Sequence, residues 1–268
     1  MPEVVLPDDK DLSEDTPEEK KHECEIDNKA PVPEMIDYQG IGVFENFIPP
    51  HICEATINCF EDWYSKKYIV NDTKVDTLLS TTKDGQDLIS TKDTSNDGNT
   101  QFNHGTLGRH DVQLFLEVHD IMMSKALASW LGACFNKYTQ TYKGLLEGDP
   151  LSSWTYKIQK TPPGGGYHVW HCENGTFIHR DRVLTWMVYL NDIPLGHGGA
   201  TDFLHQKISL QPSRGTVVMW PACYTHMHRG AFLTGDLDKY ITTGWFLRDP
   251  GPDQDHMRIL SAGSGLQV

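Results

Sequence analysis

The sequence lacks any apolar run long enough to cross a bilayer. Its longest runs, such as Trp186–Leu190, fall far short of the roughly 20 apolar residues that a membrane helix needs. The opening residues, MPEVVLPDDK, contain neither the basic segment nor the apolar segment of a secretory signal. We therefore expect a soluble, cytoplasmic chain that has no membrane partner.

Cysteine motifs and positive charge are also scarce. The 6 cysteines are scattered without a CxxC pair, which predicts reduced thiols rather than a zinc site or a disulfide framework. The 23 Lys and Arg are outnumbered by 37 Asp and Glu, and this net charge of −14 argues against a nucleic-acid partner. Neither a nucleophile elbow nor a phosphate-binding glycine loop is present.

Changes in composition divide the chain into four regions. Residues 1–35 are acidic and rich in proline, and they predict a mobile leader. Residues 36–150 predict a helical support region with one helix after Pro49–Pro50, a long polar loop at 71–107 and a second helix over roughly 111–139. Residues 151–250 are expected to form the catalytic core, and residues 251–268 a C-terminal tail.

The core region is a series of short β-type runs separated by glycine and proline turns. About eight such strands within so short a region predict a jelly-roll. In RVLTWMVYLN both alternating faces are apolar, which is typical of a strand buried on both sides. The predicted fold class is mainly β with flanking helices, around a double-stranded β-helix (jelly-roll, cupin-like) core.

One spacing in this core favours a metal site. Non-haem Fe(II) centres for oxygen chemistry use two histidines and one carboxylate, and they leave open positions for other ligands. His171 and Glu173 are two residues apart, so on a strand their side chains would point the same way. His228 is the candidate third ligand, from a distant strand. Lys239, eleven residues further on, could pair with the distal carboxylate of 2-oxoglutarate.

The region from Gly164 to Trp245 resembles the catalytic domain of prolyl 4-hydroxylases. Six fragments follow in the family's order: GGGYHVWHCE, RVLTWMVYLND, GGATDF, QPSRGTVVMW, HRG and KYITTGW. The resemblance implies an enzyme that uses Fe(II), 2-oxoglutarate as cosubstrate, O₂ and ascorbate. It implies metal ligation by His171, Glu173 and His228, and cosubstrate binding by Lys239 and Thr185. Trp245 would then lie close to the site.

The sequence departs from the family pattern at three points. Glu173 stands where the family usually has an aspartate, and the interval from His228 to Lys239 is one residue longer. The family's cosubstrate-binding tyrosine upstream of the first histidine has no counterpart at its usual offset. Tyr156 or Gln159 could serve in its place.

Other residues compete for these roles. His179 and Asp181 form a literal His-x-Asp, and His226 differs from His228 only in strand register. Arg182 could contact cosubstrate or substrate, or form a surface ion pair. The segment Arg109–Asp111 is interpreted as the entry to a helix, and Cys172 is expected to point into the core.

The resulting hypothesis is an Fe(II)- and 2-oxoglutarate-dependent dioxygenase that hydroxylates its substrate and releases succinate and CO₂. Peptidyl proline is the first substrate that the resemblance implies, which would make the partner a peptide or protein. Two alternatives stay open: an oxygenase of a small molecule or free amino acid, and a catalytically silent, cupin-like metal-binding or interaction module. The sequence does not indicate an oligomeric state.

Overall fold

The structure is a computed structural model of the chain. It describes residues 31–65, 68–70, 73–75, 88–92, 109–116, 120–153 and 155–248. Most of the predicted leader, most of the polar loop 71–107 and the predicted tail 251–268 lie outside these residues. The two pieces of the loop region that are described, at 73–75 and 88–92, are strands.

The described residues contain two α-helices and fifteen strands. The helices are α1 (Pro50–Ser65) and α2 (Ile121–Thr141). The strands are β1 (Ile36–Tyr38), β2 (Ile41–Phe44), β3 (Tyr68–Val70), β4 (Thr73–Val75), β5 (Leu88–Lys92), β6 (Arg109–Phe115), β7 (Leu151–Ser153), β8 (Lys157–Thr161), β9 (Gly166–Tyr167), β10 (Arg182–Tyr189), β11 (Thr201–Phe203), β12 (Ile208–Leu210), β13 (Val217–Pro221), β14 (His228–Gly230) and β15 (Lys239–Arg248).

Most strands form one antiparallel main sheet. Its order is β1-β2-β13-β10-β15-β8-β6-β5, with β7 beside β15 and β9 beside β6. A small sheet, β12-β11-β14, packs against it through Phe203, which shares an apolar cluster with Met187 and Tyr189 of β10. The predicted fold class, mainly β with a jelly-roll core and flanking helices, is confirmed.

The helices cover the other face of the main sheet. Phe60 of α1 and Leu131 of α2 are buried in the same cluster as Trp186 of β10. Helix α1 begins at Pro50, where the missing amide hydrogen of proline costs no hydrogen bond. Because β10 contributes to a cluster on each side, the predicted burial of both its faces is confirmed.

The predicted second helix begins too early. Residues 109–115 form strand β6, and α2 begins only at Ile121, where the Asp120 carboxylate accepts a hydrogen bond from the Met123 amide. Asp111 therefore belongs to a strand and not to a helix entry. Among the described residues, no helix combines the length and the apolar character needed to cross a membrane.

Candidate active site

A cavity of about 400 Å³ lies between the two sheets. The main sheet lines it with alternate residues of its central strands, which share one face because side chains alternate along a strand. These residues include Thr243 and Trp245 of β15 and Gln159 of β8. The small sheet contributes Thr201 and His228.

His171, Glu173 and His228 meet at this cavity. The sequence suggested that His171 lies on a strand. Instead, it lies outside the fifteen strands and forms an isolated antiparallel bridge with His228. The His171 amide donates to the His228 carbonyl at 3.0 Å, and the His228 amide donates to the His171 carbonyl at 2.9 Å. The Glu173 amide donates to the carbonyl of Ala222, the residue that follows β13, at 2.9 Å. The backbone thus holds the three residues together.

The side chains of the three residues converge on one point. Glu173 Oε1 lies 3.4 Å from His171 Nε2 and 3.3 Å from His228 Nε2. His171 Nδ1 lies 2.8 Å from the Val169 carbonyl, and His228 Nδ1 lies 3.0 Å from the His226 carbonyl. Since a carbonyl only accepts, each Nδ1 donates to its carbonyl, and Nε2 is the ring nitrogen that faces the centre in both histidines.

This donor set fits a divalent cation. With metal–ligand bonds of about 2.1 Å, ligands at right angles lie about 3 Å apart, close to the separations seen here. Burial lowers the pKa of His171, and the neighbouring His228 lowers it further. Burial opposes the charge on Glu173, but the contacts with His171 and His228 outweigh it and hold the pKa of Glu173 well below its usual range. An ionised carboxylate at Glu173 and a neutral imidazole at His171 are the forms in which these side chains bind a metal.

The second oxygen of Glu173 faces the main sheet. Oε2 accepts hydrogen bonds from Arg182 at 3.2 Å and from the indole nitrogen of Trp245 at 2.9 Å. The Arg182 guanidinium lies 3.4 Å from the centre of the Trp245 ring. Arg182 is thus neither a surface ion pair nor exposed, and burial lowers its pKa to about 10.

Lys239 is buried in the same cavity. Its ammonium donates to the Gly199 carbonyl at 2.6 Å and lies 5.5 Å from the centre of the Tyr189 ring. Burial lowers the pKa of Lys239 to about 8, opposed by the charges of Asp202 and Asp111. The buried Tyr189 hydroxyl was not predicted as a site residue. Its signal was in the sequence, as the tyrosine of the fragment RVLTWMVYLND that resembles prolyl 4-hydroxylases.

Thr185 lies on β10, two residues before the cavity-lining Met187 and therefore on the same face. Its buried hydroxyl has no hydrogen-bond partner. Trp220, its cross-strand neighbour on β13, also has a buried and unpartnered indole nitrogen and lines the cavity. Buried polar atoms normally have a partner, so this adjacent pair fits a site that receives a polar ligand.

Tyr156 does not lie on the cavity wall. It is part of the hydrophobic core, with its ring 5.0 Å from that of Trp186. Gln159, the alternative to Tyr156, does line the cavity, and its amide donates to Asp111 at 3.4 Å. Asp111 also accepts from Gln113 at 3.2 Å, and this buried polar group was missed because the segment was assigned to a helix.

The competing histidines do not point at the centre where His171, Glu173 and His228 converge. His179 is in a short 3-10 helix and pairs with Thr176 at 2.9 Å, while Asp181 pairs with Arg180. Both ring nitrogens of His226 are engaged, by Thr225 and by the Gln39 carbonyl. Within the described part of the chain, the group that could hold a metal is His171, Glu173 and His228. Cys172 lines the cavity and does not point into the core.

Comparisons with known proteins agree with this geometry. Residues 156–247 match the sequence model of the 2OG-Fe(II) oxygenase superfamily. The predicted resemblance is therefore confirmed, and the match supports dioxygenase activity with Fe(II) and 2-oxoglutarate. No curated protein sequence matches the chain.

Solved structures with the same fold include prolyl hydroxylases. A collagen prolyl hydroxylase of Paramecium bursaria Chlorella virus-1, in complex with 2-oxoglutarate, is 16% identical with a TM-score of 0.51, over 79% of this chain and 97% of its own. A Pseudomonas putida prolyl-4-hydroxylase is 18% identical with a TM-score of 0.51, over 78% and 93%. A Trichoplax adhaerens prolyl hydroxylase, in complex with a hypoxia inducible factor peptide, is 15% identical with a TM-score of 0.51, over 78% and 84%.

Proposed function

We propose that this chain is an Fe(II)- and 2-oxoglutarate-dependent dioxygenase that hydroxylates a peptidyl proline. The observation that carries the proposal is the meeting of two imidazoles and one carboxylate in the same buried cavity as Lys239. A metal-binding jelly-roll with no dicarboxylate to bind has no need of a lysine ammonium buried in that cavity.

His171, Glu173 and His228 would hold the iron through two Nε2 atoms and Oε1. Fe(II) bound there supplies the activation of O₂, coupled to the oxidative decarboxylation of 2-oxoglutarate to succinate and CO₂. The carbonyl partners of both Nδ1 atoms keep the imidazole rings oriented, and hydrogen bonds of this kind also make a histidine ligand more basic.

The cosubstrate would bind through its distal carboxylate to the Lys239 ammonium. The Thr185 hydroxyl, on the same face of the main sheet, would donate the hydrogen bond that it lacks in the protein alone. The Tyr189 ring, whose centre lies 5.5 Å from the same ammonium and whose hydroxyl donates to Thr201 at 2.8 Å, would border this pocket. Burial of these groups excludes water, which strengthens a charge pair.

A peptide substrate is supported by the surface next to the cavity. Phe177 is 72% exposed and Ile178 is 63% exposed, and they lie between Thr176 and His179, which both line the cavity. Exposed apolar groups beside a catalytic cavity favour a ligand that extends beyond it. A structure with this fold is in complex with a peptide, which agrees with the proposal.

The first test is succinate formation from 2-oxoglutarate with Fe(II) and ascorbate. We expect turnover in the wild type and in His179→Ala, and none in His171→Ala, because only His171 belongs to the proposed ligand set. If the wild type binds iron but forms no succinate, the oxygenase proposal is contradicted. Loss of turnover in His179→Ala alone would mean that the ligand assignment is wrong.

Substrate class is tested with proline-containing peptides and matched peptides that carry alanine at that position. Hydroxylation of the proline peptide adds the mass of one oxygen atom and raises succinate formation above the uncoupled level. Oxygenation of free amino acids or small molecules without any response to peptides would contradict the peptidyl-proline proposal and leave the oxygenase proposal intact.

A further inference from the structure

The two oxygens of the Glu173 carboxylate have different surroundings. Oε1 lies between the Nε2 atoms of His171 and His228, while Oε2 is hydrogen-bonded to Arg182 and Trp245. Only Oε1 is therefore directed at the point where the imidazoles converge. A carboxylate held in this way can give a metal one oxygen and not two.

The two donors to Oε2 are themselves held in place. Arg182 also donates to the Glu173 backbone carbonyl at 3.3 Å, and its guanidinium stacks on the Trp245 ring. The two residues lie on adjacent strands, β10 and β15, with a register shift beside Arg182. Only 12% of the Arg182 side chain and 14% of the Glu173 side chain are exposed. The contacts thus join one metal-facing side chain to the middle of the main sheet.

The Glu173 carboxylate can make both sets of contacts only because its side chain is long enough. The carboxylate must reach Arg182 and Trp245 with one oxygen and both histidines with the other. An aspartate, one methylene shorter on the same backbone, would bring its carboxylate closer to the chain. It could then satisfy one set of contacts but not both.

We propose that Arg182 and Trp245 are positioning residues that fix the Glu173 carboxylate for metal binding through Oε1, and that they set the ligand length to that of glutamate. This inference rests on the proposed function. It accounts for a glutamate at a position where the resembling family usually has aspartate. Loss of an outer hydrogen bond to a ligand commonly weakens metal binding by about 10- to 100-fold.

The test is Co(II) binding to the full chain without O₂ turnover, followed by the visible absorption of the bound ion. We expect Trp245→Phe, which keeps the ring but loses the N–H donor, to bind Co(II) about 10- to 100-fold more weakly than the wild type. Arg182→Met should do the same. Glu173→Asp should also bind more weakly, although aspartate is the more usual ligand.

A coupling measurement separates positioning from general stability. In the Trp245→Phe, Arg182→Met background, glutamate has lost the contacts that favour its length. The difference in Co(II) affinity between Glu173 and Glu173→Asp should therefore shrink. The matched control is Arg214→Met, which removes an arginine–glutamate contact of 3.1 Å with Glu54 at the surface and should leave Co(II) affinity unchanged.

Each outcome has a distinct meaning. Wild-type Co(II) affinity in both Trp245→Phe and Arg182→Met, with circular dichroism confirming that they fold, would overturn the positioning role but not the proposed function. Tighter binding in Glu173→Asp than in the wild type would overturn the inference about length. Wild-type protein that binds Co(II) but forms no succinate with Fe(II) would contradict the oxygenase alone, and failure to bind Co(II) at all would overturn both.

Discussion

At the scale of single residues, the buried hydroxyl of Thr185 on β10 can be compared with that of Thr242 on β15. Both are buried, and neither hydroxyl has a hydrogen-bond partner. Thr185 shares the face of cavity-lining Met187, whereas Thr242 alternates with Ile241 and Thr243, which line the cavity, and so faces the helices. The two threonines therefore distinguish a hydroxyl that can meet a ligand from one that cannot.

We predict that Thr185→Val weakens 2-oxoglutarate binding about fivefold, because one hydrogen bond contributes about 1 kcal/mol. Thr242→Val should leave the affinity unchanged. Both variants should raise the free energy of unfolding of the ligand-free protein slightly, because each removes an unpartnered buried hydroxyl. Calorimetric titration of the Co(II)-loaded protein and denaturant unfolding measure these quantities. Equal effects of both variants on affinity would contradict a cosubstrate role for Thr185.

The pKa of Lys239, lowered to about 8 by burial, predicts how cosubstrate binding depends on pH. Only the protonated ammonium attracts a carboxylate, so the affinity for 2-oxoglutarate should be constant below about pH 8. Above that pH it should fall, by up to tenfold for each pH unit. Lys239→Arg stays charged and should remove this dependence between pH 7 and 9. A flat profile in the wild type would exclude Lys239 as the carboxylate partner.

At the scale of secondary-structure elements, we expect substitution of glycine by alanine to change the free energy of unfolding in opposite directions at two positions. A Cβ on Gly244 of β15 would lie 2.0 Å from the Thr155 carbonyl and 2.4 Å from the Trp186 ring, whereas a Cβ on Gly132 of α2 would meet nothing within 4 Å. Gly244→Ala should lower the free energy of unfolding by about 1–3 kcal/mol. Gly132→Ala should raise it by about 0.5–1 kcal/mol. Thermal unfolding checks both, and tolerance of Gly244→Ala would contradict the packing of β15 against β10.

The elements also explain what could be predicted from the sequence. β10 was predictable because its residues are apolar on both faces, and α1 because its apolar residues recur at helical spacing after two prolines. β6 was not, although Asp111 and Gln113 alternate with the buried Leu114 in the period of a strand. Val112 and Phe115 of β6 also fit the helical spacing of the apolar positions in α2, so the sequence pattern predicts one continuous helix there.

The candidate site was likewise only partly predictable from the sequence. His171, Glu173 and His228 could be selected from spacing and from the resemblance, since a local pattern carries them. The hydrogen bonds of Arg182 and Trp245 to Glu173 depend on the pairing of β10 with β15 and on a register shift, so only the folded chain reveals them. The packing of Tyr156 among core residues, away from the cavity wall, likewise depends on the fold and not on a local pattern.

At the scale of the whole molecule, the three proposed ligands connect parts of the fold that are separate in sequence. His171 and Glu173 lie between β9 and β10, and His228 begins β14 of the small sheet. Through Arg182 and Trp245, Glu173 is also tied to the main sheet. A bound cation would therefore link both sheets, and separation of either sheet would release it.

We predict that metal binding stabilises the fold as a whole. At a free Co(II) concentration about 100 times its dissociation constant, the free energy of unfolding should rise by about 2.7 kcal/mol. For a domain of this size, that corresponds to a rise in Tm of about 5–10 °C. His171→Ala should lose this rise, and His179→Ala should keep it.

The two sheets should melt in one transition with and without Co(II), because the apolar contacts of Phe203 with β10 join them even before the metal does. Two separate transitions, with only one shifted by Co(II), would mean that the metal stabilises a local segment and does not link the sheets.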